Sequence, residues 1–289
     1  MLERLEGQIQ IIEDSLVGYL PDNTPEPLKS SLYYAITVGG KRIRPLLTML
    51  TCDLLGGNQD HAISTACAIE MVHTYSLIHD DLPAMDDDEL RRGKPTLHVV
   101  YDDATAILTG DALQSLAFQI ISEDQNLSDQ KKAELVLLLA KAIGPEGMVA
   151  GQVLDMQSEQ SRIGNNALKE MHNRKTGDLI VASIAAGASI ANATPAEKSS
   201  LHEFGYALGL AFQIRDDLLD VLGTTEQLGK PQGSDQAKNK STFTSIHGIE
   251  GAKTQLKETR DQALSALSCL GSKAETLANL THYVADRLR

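Results

Sequence analysis

The sequence predicts an all-α protein. Alanine, leucine, glutamate and glutamine dominate over β-branched and aromatic residues, and aromatic residues make up only 4% of the 289 positions. That composition favours helices. Apolar residues recur at helical spacing through most of the chain, and no convincing run of alternating β-branched residues is present. No linker, repeat or compositional break divides the sequence, so we expect a single domain over residues 1–289.

Helix signals follow one another along the chain. A Pro-rich segment at 21–27 ends the first amphipathic stretch, the Gly39-Gly40 pair ends the second, and Pro45 opens the third. The polar segment 223–243 is long for a plain connection and is predicted to be a lid or binding loop, with a disordered surface insertion as the alternative. The predicted helices cover about 2–19, 28–38, 45–55, 60–82, 103–122, 129–142, 146–160, 167–191, 196–222, 249–268 and 273–287.

Charge and cysteine usage exclude several classes of protein. A formal net charge of −13 argues against nucleic acid and anionic membrane surfaces as partners. The three cysteines lack metal-ligand spacing and are interpreted as small buried hydrophobes in a reducing compartment. The longest apolar run, residues 179–191, is too short to span a bilayer, and the charged N-terminus does not resemble a signal peptide. We therefore expect a cytoplasmic protein with no membrane span.

An acidic cluster follows the apolar helix predicted before residue 82. Five aspartates occupy the nine positions from Asp80 to Asp88, and Pro83 interrupts the helix among them. Carboxylates this close repel one another by roughly 1–3 kcal/mol per pair at an effective dielectric constant near 20. A solvated surface is the usual explanation of such a run. Because these acids end a helix that is predicted to be buried, hard cations such as Mg²⁺ are the alternative.

A second aspartate cluster shifts the balance towards metal binding. Asp216, Asp217 and Asp220 interrupt an otherwise apolar segment, and Asp216 and Asp220 share one helix face at i and i+4. Unpaired aspartates are costly to bury at such positions. Two such clusters, each at the end of an apolar helix, indicate facing walls of one metal site.

The two clusters belong to an ordered set of motifs. DDLPAMD at 80–86 and DDLLD at 216–220 resemble the two aspartate-rich motifs of the trans-prenyltransferases, and four further signatures match in order: GGKRIRP at 39–45, GQVLD at 151–155, KTG at 175–177 and FQ at 212–213. The resemblance covers nearly the whole chain. It implies an isoprenoid-synthase-type helical bundle around a deep central cavity, and a homodimer.

The resemblance also implies the residues that bind metal and the allylic diphosphate. A charge count leaves either two or three Mg²⁺ ions open, and the family implies three. We expect Lys175, Thr176 and Gln213 to lie beside the allylic carbon. The alternative is that Thr176 and Gln213 are ordinary polar residues on helices. With these three, Asp80, Asp81 and Asp216 are the expected catalytic residues. The expected metal ligands are Asp80, Asp81, Asp86, Asp216, Asp217 and Asp220. The expected allylic diphosphate ligands are Arg91, Lys175, Lys230 and Lys240.

The second substrate, isopentenyl diphosphate, needs a basic pocket without metal. Lys41 and Arg44 lie at i and i+3 beside the glycine pair, and arginine offers paired donors that suit phosphate. Arg92 and His73 are expected to join them. Surface charge is the alternative for Lys41 and Arg44, and a satisfied core histidine is the alternative for His73.

Product length depends on residues deeper along the helix that ends at Asp80. Tyr75 and Ser76 lie about one turn before Asp80. A bulky Tyr75 would form a floor for the growing chain, or it packs in the core without that role. An aromatic residue here and the two extra residues Pro83-Ala84 resemble bacterial-type farnesyl diphosphate synthases. One departure is Asn239 before Lys240, where relatives often have glycine.

The expected reaction is therefore the condensation of isopentenyl diphosphate head-to-tail with dimethylallyl and geranyl diphosphate to give farnesyl diphosphate. By the family expectation, the departing diphosphate removes the final proton. The alternatives are a geranylgeranyl diphosphate synthase, a terpene cyclase, which would not need Lys41, Arg44 and Arg92, and a non-catalytic prenyl-diphosphate-binding homologue, which would be expected to lose some aspartates.

Overall fold

A computed structural model describes residues 2–159, 162–223 and 240–287. The architecture is helical, as predicted. Its thirteen α-helices, numbered α1 to α13 in chain order within those ranges, are Leu2–Gly18, Leu28–Thr37, Ile43–Leu54, Ile63–Asp80, Leu97–Val100, Asp103–Glu123, Asp129–Ile143, Met148–Glu159, Asn165–His172, Asp178–Ile190, Pro195–Leu222, Phe243–Ala266 and Glu275–Asp286. Short 3-10 helices cover Gln59–Ala62 and Ser268–Ala274.

Two helices form the centre of the bundle. In α4 nearly every residue before Ser76 is buried, and α10 is buried along almost its whole length. A helix that is apolar on all sides requires neighbours on all sides. Accordingly α4 packs against α3 and α6, while α10 packs against α3, α7 and α11. These central helices hold the ends of the site-bearing segments in fixed positions.

One small sheet was not predicted. β1 (Leu90–Arg91) pairs antiparallel with β2 (Lys94–Pro95). The connecting residues Arg92 and Gly93 have φ values of 55° and 75°, and a two-residue hairpin turn with both φ values positive matches the twist of the strands. Strands of two residues carry no alternation for sequence analysis to detect. The hairpin follows directly after the acidic cluster.

The predicted helix over 167–191 is present as an unbroken helical run over 165–190, but it is not α-helical throughout. A π-helical turn, Asn173–Gly177, separates α9 from α10. Such wide turns inside helices frequently mark functional sites. The predicted start at 249 also differs: α12 begins at Phe243 and is kinked at Gly248, whose φ is 69°. The prediction found only the part beyond the kink.

The remaining expectations have mixed outcomes. Cys52 and Cys67 are buried, but Cys269 is exposed, because it lies on the surface 3-10 segment. Among the described helices, α6 is long and apolar enough to cross a bilayer by length and composition, and half of that stretch is buried within the protein. The single domain stays a prediction.

Candidate active site

The first aspartate motif forms a tight turn at the end of α4. The helix ends at Asp80, as expected before Pro83, which has no N–H to donate. The backbone N–H of Asp86 donates to the Asp80 carbonyl at 2.9 Å, and that of Asp88 donates to the Asp81 carbonyl at 3.2 Å. These bonds fold the chain back, so the acidic side chains gather at one end of the helix.

Two lysines from distant parts of the chain meet these acids. Lys175 Nζ lies 2.5 Å from Asp155 and 3.6 Å from Asp80, and Lys240 Nζ lies 3.0 Å from Asp86 and 3.9 Å from Asp155. We call the cluster the acidic site; its members are Asp80, Asp81, Asp86, Asp155, Arg91, Lys175 and Lys240. The sequence prediction brought these groups together correctly, with the exception of Asp155.

Asp155 and Gln152 were not assigned a role from sequence. Asp155 is buried in α8, and the Gln152 amide, on the same helix, donates to Asp80. The signal was available: both are polar residues of the GQVLD motif, spaced i and i+3 so that they share one helix face. Asp155 joins the two lysines and belongs to the site.

Burial dominates the electrostatics of this cluster. It raises the pKa of Asp80, and Asp86 raises it further, while Lys175 opposes the shift. Burial alone would lower the pKa values of Lys175 and Lys240, but the surrounding carboxylates outweigh it and raise both. Ionised carboxylates at this position therefore depend on nearby positive charge.

Arg91 supplies a third cation. Its guanidinium contacts Asp81 with Nε at 2.6 Å and Nη2 at 2.5 Å, and Asp88 at 3.5 Å. Burial raises the pKa of Asp81 to about 6, although Arg91 opposes that shift. The β1–β2 hairpin thus serves to fold Arg91 back over the motif that precedes it.

The second aspartate motif lies in the last turns of α11. Asp217 and Asp220 are buried, and Asp217 Oδ2 accepts a hydrogen bond from the backbone N–H of Phe243 at 2.6 Å. Asp216 is half-exposed and accepts from Arg287 Nη2 at 2.6 Å. The guanidinium of Arg287 also lies 3.9 Å from the centre of the Phe212 ring. The predicted helical placement of all three aspartates is confirmed.

Residues 240–243 connect the two motifs. Lys240 binds Asp86 of the first motif, and the Phe243 N–H binds Asp217 of the second. Because three residues span at most about 11 Å, both motifs lie close to this short segment. That the two motifs face each other across one metal site stays a prediction.

The donor atoms of this site suit hard divalent cations. Within residues 2–159, 162–223 and 240–287, no group of three or more His, Cys, Asp or Glu side chains is arranged to hold a metal ion. Instead, Lys175 and Lys240 place ammonium groups between Asp80, Asp86 and Asp155. These carboxylate oxygens already bind cationic groups, and carboxylate oxygens are the ligands that Mg²⁺ prefers.

The π-helical turn presents Lys175 and Thr176. Gly151 of α8 lies so close to the Lys175 backbone that a Cβ atom there would collide with it. Thr176 is buried, and Gln213 lies half-buried on α11, which packs against the turn. His172, just before the turn, stacks on the Phe243 ring, and burial lowers its pKa to about 4.

A second cluster lies beside α4 around Glu70 and His73, about two turns before Asp80. We call it the arginine pocket; its members are Lys41, Arg42, Arg44, Arg92, His73 and Glu70. Arg44 Nη1 lies 3.2 Å from His73 Nε2, and the Arg92 guanidinium donates to the Gly39 carbonyl. Burial and, after it, the nearby arginines lower the pKa of His73 well below its usual value, so its imidazole is neutral. The structure thus brings together three of the four residues predicted here, Arg44, His73 and Arg92, and Lys41 is exposed on the same loop.

The two clusters share a border. A cavity of about 40 Å³ lies between α2, α4 and the hairpin, and Asp81, Arg91 and Arg92 line it. Asp81 and Arg91 belong to the acidic site, whereas Arg92 belongs to the arginine pocket. Adjacent arginines on one hairpin therefore serve two different sites.

The residues predicted to limit product length lie below the acidic site. Tyr75 is buried in α4 with its ring against His79, at a centroid distance of 5.7 Å. Ser76 is half-buried and donates to the His73 carbonyl at 2.8 Å. Their role in chain length stays a prediction. Lys230, predicted to bind the allylic diphosphate, lies outside the described residues, as do Lys238 and Asn239.

Comparisons with known proteins agree with this geometry. The polyprenyl synthetase family model matches residues 25–280. The chain is 46% identical over 286 residues to a farnesyl diphosphate synthase of Geobacillus stearothermophilus, covering 98% of this chain and 96% of that one. It is 41% identical to geranylgeranyl pyrophosphate synthase 4 of Arabidopsis thaliana, covering 97% of this chain and 76% of that one. A crystal structure of an FPP/GFPP synthase from Zymomonas mobilis superposes with a TM-score of 0.86 at 38% identity, covering 99% of this chain and 100% of that one.

Proposed function

The chain belongs to the polyprenyl synthetase family, and we propose that it is a short-chain prenyltransferase that makes farnesyl diphosphate. It condenses isopentenyl diphosphate head-to-tail with dimethylallyl diphosphate and then with geranyl diphosphate. The observation that carries this conclusion is the 46% identity to a bacterial farnesyl diphosphate synthase over 98% of the chain. The acidic site and the arginine pocket provide one binding place for each substrate.

The acidic site binds the allylic diphosphate together with Mg²⁺. The proposed ligands are the carboxylates of the two motifs, Asp80, Asp81, Asp86, Asp216, Asp217 and Asp220. Asp81 and Asp217 also accept hydrogen bonds, from Arg91 and from the Phe243 backbone. Bound Mg²⁺, three ions by family resemblance, would supply positive charge that offsets the negative charge of the departing diphosphate. Asp81 and Asp217 hold Arg91 and the start of α12 in place beside the other ligands.

Lys175, Arg91 and Lys240 bind the oxygens of the allylic diphosphate. In the structure all three are paired with carboxylates, so binding exchanges these partners for phosphate oxygens and metal-bound carboxylates. Lys230 is proposed to join them from the segment outside the described residues. Cations held in this way are already oriented before the charge of the leaving group develops.

Thr176 and Gln213 stabilise the allylic cation with their oxygen dipoles. The burial of Thr176 and the close packing of α8 against the π-helical turn support this role, because both restrict access of water. No histidine or glutamate of the motifs is placed as a base in our proposal. The proton lost after carbon–carbon bond formation goes to the departed diphosphate.

The arginine pocket binds isopentenyl diphosphate without metal. Arg44 and Arg92 offer paired N–H donors, and neutral His73 and exposed Lys41 complete the set. The shared cavity beside Arg91 and Arg92 supports a path between the two diphosphates. A terpene cyclase would have no use for this pocket.

A homodimer is proposed as the assembled form. The exposed apolar residues Val99, Val100, Ile107 and Leu108 lie at the end of α5 and in the first two turns of α6, helices that pack against each other. They are the proposed interface residues, because exposed apolar patches mark interaction sites. Leu108→Glu should therefore convert a dimer into a monomer in analytical ultracentrifugation, and an unchanged sedimentation coefficient would contradict this interface. The cytoplasmic location stays a prediction.

Product sizing tests the proposed function. Purified protein is incubated with Mg²⁺, radiolabelled isopentenyl diphosphate and either dimethylallyl or geranyl diphosphate, and the products are separated by chain length. A dominant C15 product from both primers is expected. Products of C20 or longer would favour a geranylgeranyl diphosphate synthase, and a folded protein that forms no product from either primer would contradict the enzyme function.

A further inference from the structure

The loop between α2 and α3 has an unusual backbone. Gly39 and Gly40 have φ values of 95° and 148°, and Arg42 has a φ of 49°. Glycine adopts such values without strain, but a side chain at Arg42 makes the left-handed conformation unfavourable. A strained residue of this kind persists only where its surroundings hold it.

The Arg42 side chain is held by buried partners. It is 3% exposed, its Nη1 donates to Glu70 Oε1 at 2.8 Å, and its Nη2 donates to the Ile36 carbonyl at 2.7 Å. Glu13 lies 3.5 Å from Nε. Glu70 is 1% exposed and lies in the middle of α4. The buried pair therefore ties the loop to the central helix.

Arg92 holds the same loop from outside. Its φ of 55° is also left-handed, and its guanidinium donates to the Gly39 carbonyl. A Cβ atom on Gly40 would lie 2.5 Å from Arg92 Nη1, so a side chain there would displace the guanidinium from its present position. Two arginines with positive φ values therefore bind the backbone of residues 36–40. Arg42 donates to the Ile36 carbonyl from the core, and Arg92 donates to the Gly39 carbonyl from the surface.

Glu70 also lies beside the residues that bind phosphate. It is three residues before His73 on the same face of α4, and His73 contacts Arg44 at 3.2 Å. Arg42 is bonded directly to Lys41, and its carbonyl accepts from Leu46 N–H in the first turn of α3, the turn that contains Arg44. The conformation of Arg42 therefore sets the placement of Lys41 and Arg44.

We propose that Glu70 and Arg42 form a positioning pair that sets the affinity of the arginine pocket for the diphosphate of isopentenyl diphosphate. The inference rests on the proposed function, and it assigns both residues a role without contact to the substrate. A merely structural pair would change stability alone. A positioning pair changes the KM for one substrate and leaves the other substrate unaffected.

The main test uses Glu70→Gln, which keeps the side-chain shape and one acceptor but removes the charge. We expect the KM for isopentenyl diphosphate to rise at least ten-fold, with kcat and the KM for geranyl diphosphate within three-fold of wild type. Thr281→Val is the matched control, because it removes another buried hydrogen bond, to the Leu277 carbonyl, far from the site. Its KM values should both stay within two-fold.

A double variant, Arg42→Met with Glu70→Met, separates positioning from stability. Replacing a buried ion pair with apolar side chains commonly preserves stability. We expect a urea midpoint near wild type and a KM for isopentenyl diphosphate that is still raised at least ten-fold.

Two results would overturn the inference: equal changes in the KM values of both substrates, or a KM for isopentenyl diphosphate within two-fold of wild type in Glu70→Gln. If the wild-type protein itself formed no product, the proposed function would fail instead, so the two failures are distinguishable.

Discussion

The acidic site and the arginine pocket lie next to each other along one helix, α4, yet they have opposite charge. In the acidic site, the carboxylates of Asp80, Asp81, Asp86 and Asp155 share the three cations Arg91, Lys175 and Lys240. In the arginine pocket, Glu70 is the one carboxylate among the six named members, beside three arginines and a lysine. Both are proposed to bind the same chemical group, a diphosphate.

This difference in charge indicates how each diphosphate is used. A site with surplus carboxylate cannot bind an anion until divalent cations arrive, and those same cations can stabilise a leaving group. A pocket with surplus arginine binds its anion at once but offers no comparable help to bond cleavage. The charges therefore indicate which diphosphate leaves and which stays attached during the reaction.

The largest expected effect is at the acidic site. Asp80→Asn removes a proposed metal ligand whose pKa is raised by burial. The kcat of this variant should fall by about 10³-fold or more. Asp88→Asn is the matched control, because Asp88 lies on the same turn and contacts Arg91 at 3.5 Å but is not a proposed metal ligand. Steady-state condensation assays should show less than a ten-fold loss for it. Equal losses in both variants would contradict the distinction.

The next effect is at the arginine pocket. Arg44→Met should raise the KM for isopentenyl diphosphate by about 100-fold, since a hydrogen bond to a charged group contributes roughly 1.5–3 kcal/mol. The KM for geranyl diphosphate should be unchanged, which kinetics with each substrate varied in turn will show. Lys94→Met, an exposed cation on β2, is the control. A rise in both KM values would mean that the two sites are not independent.

Product length gives a third comparison, between the mouth and the interior of the acidic site. Tyr75→Ala removes a buried ring below Asp80 and should shift the product from C15 to C20 or longer, at a stability cost of about 3 kcal/mol. Tyr75→Phe retains the ring and should retain the C15 product. Chromatography of the radiolabelled products measures both. A C15 product from Tyr75→Ala would leave Tyr75 as a core residue only.

The smallest effect concerns two histidines that burial keeps neutral, His73 in the arginine pocket and His172 behind the acidic site. A histidine whose folded pKa is lowered binds protons more readily when unfolded, so stability is present above pH 6.5 and is lost as the pH falls. For His172, with a folded pKa of about 4, the loss between pH 7 and pH 4.5 is at most about 2–3 kcal/mol.

His172→Phe keeps a ring against Phe243 and should remove this part of the pH dependence. Urea unfolding at pH 7 and at pH 4.5 measures the difference for wild type and variant. His282→Phe, at an exposed position on α13, should behave as wild type. An identical pH dependence in wild type and His172→Phe would show that His172 does not titrate on unfolding.

Much of this arrangement was predictable because the information is local. The acids of both motifs and the apolar helices before them follow from spacing, and so does the end of α4 before Pro83. The lysines Lys175 and Lys240 were assigned by resemblance, and the structure places both among the acids.

Other features depend on contacts between distant parts of the chain. The π-helical turn at Asn173–Gly177 exists where α8 approaches at Gly151, which no local pattern records. The left-handed conformation of Arg42 depends on Glu70, 28 residues away. Asp155 was part of a recognised motif, but its role required the position of both lysines.

The most direct test of the contrast between the two sites is a pair of titrations by calorimetry. The two ligands are isopentenyl diphosphate and a thiolodiphosphate analogue of geranyl diphosphate, which does not lose its diphosphate to form the allylic cation. Each ligand is titrated into the protein first in the presence of Mg²⁺ and then in the presence of EDTA. We predict that removal of Mg²⁺ weakens binding of the geranyl analogue at least 100-fold and changes binding of isopentenyl diphosphate less than three-fold. Equal metal dependence for the two ligands, or none for either, would contradict it.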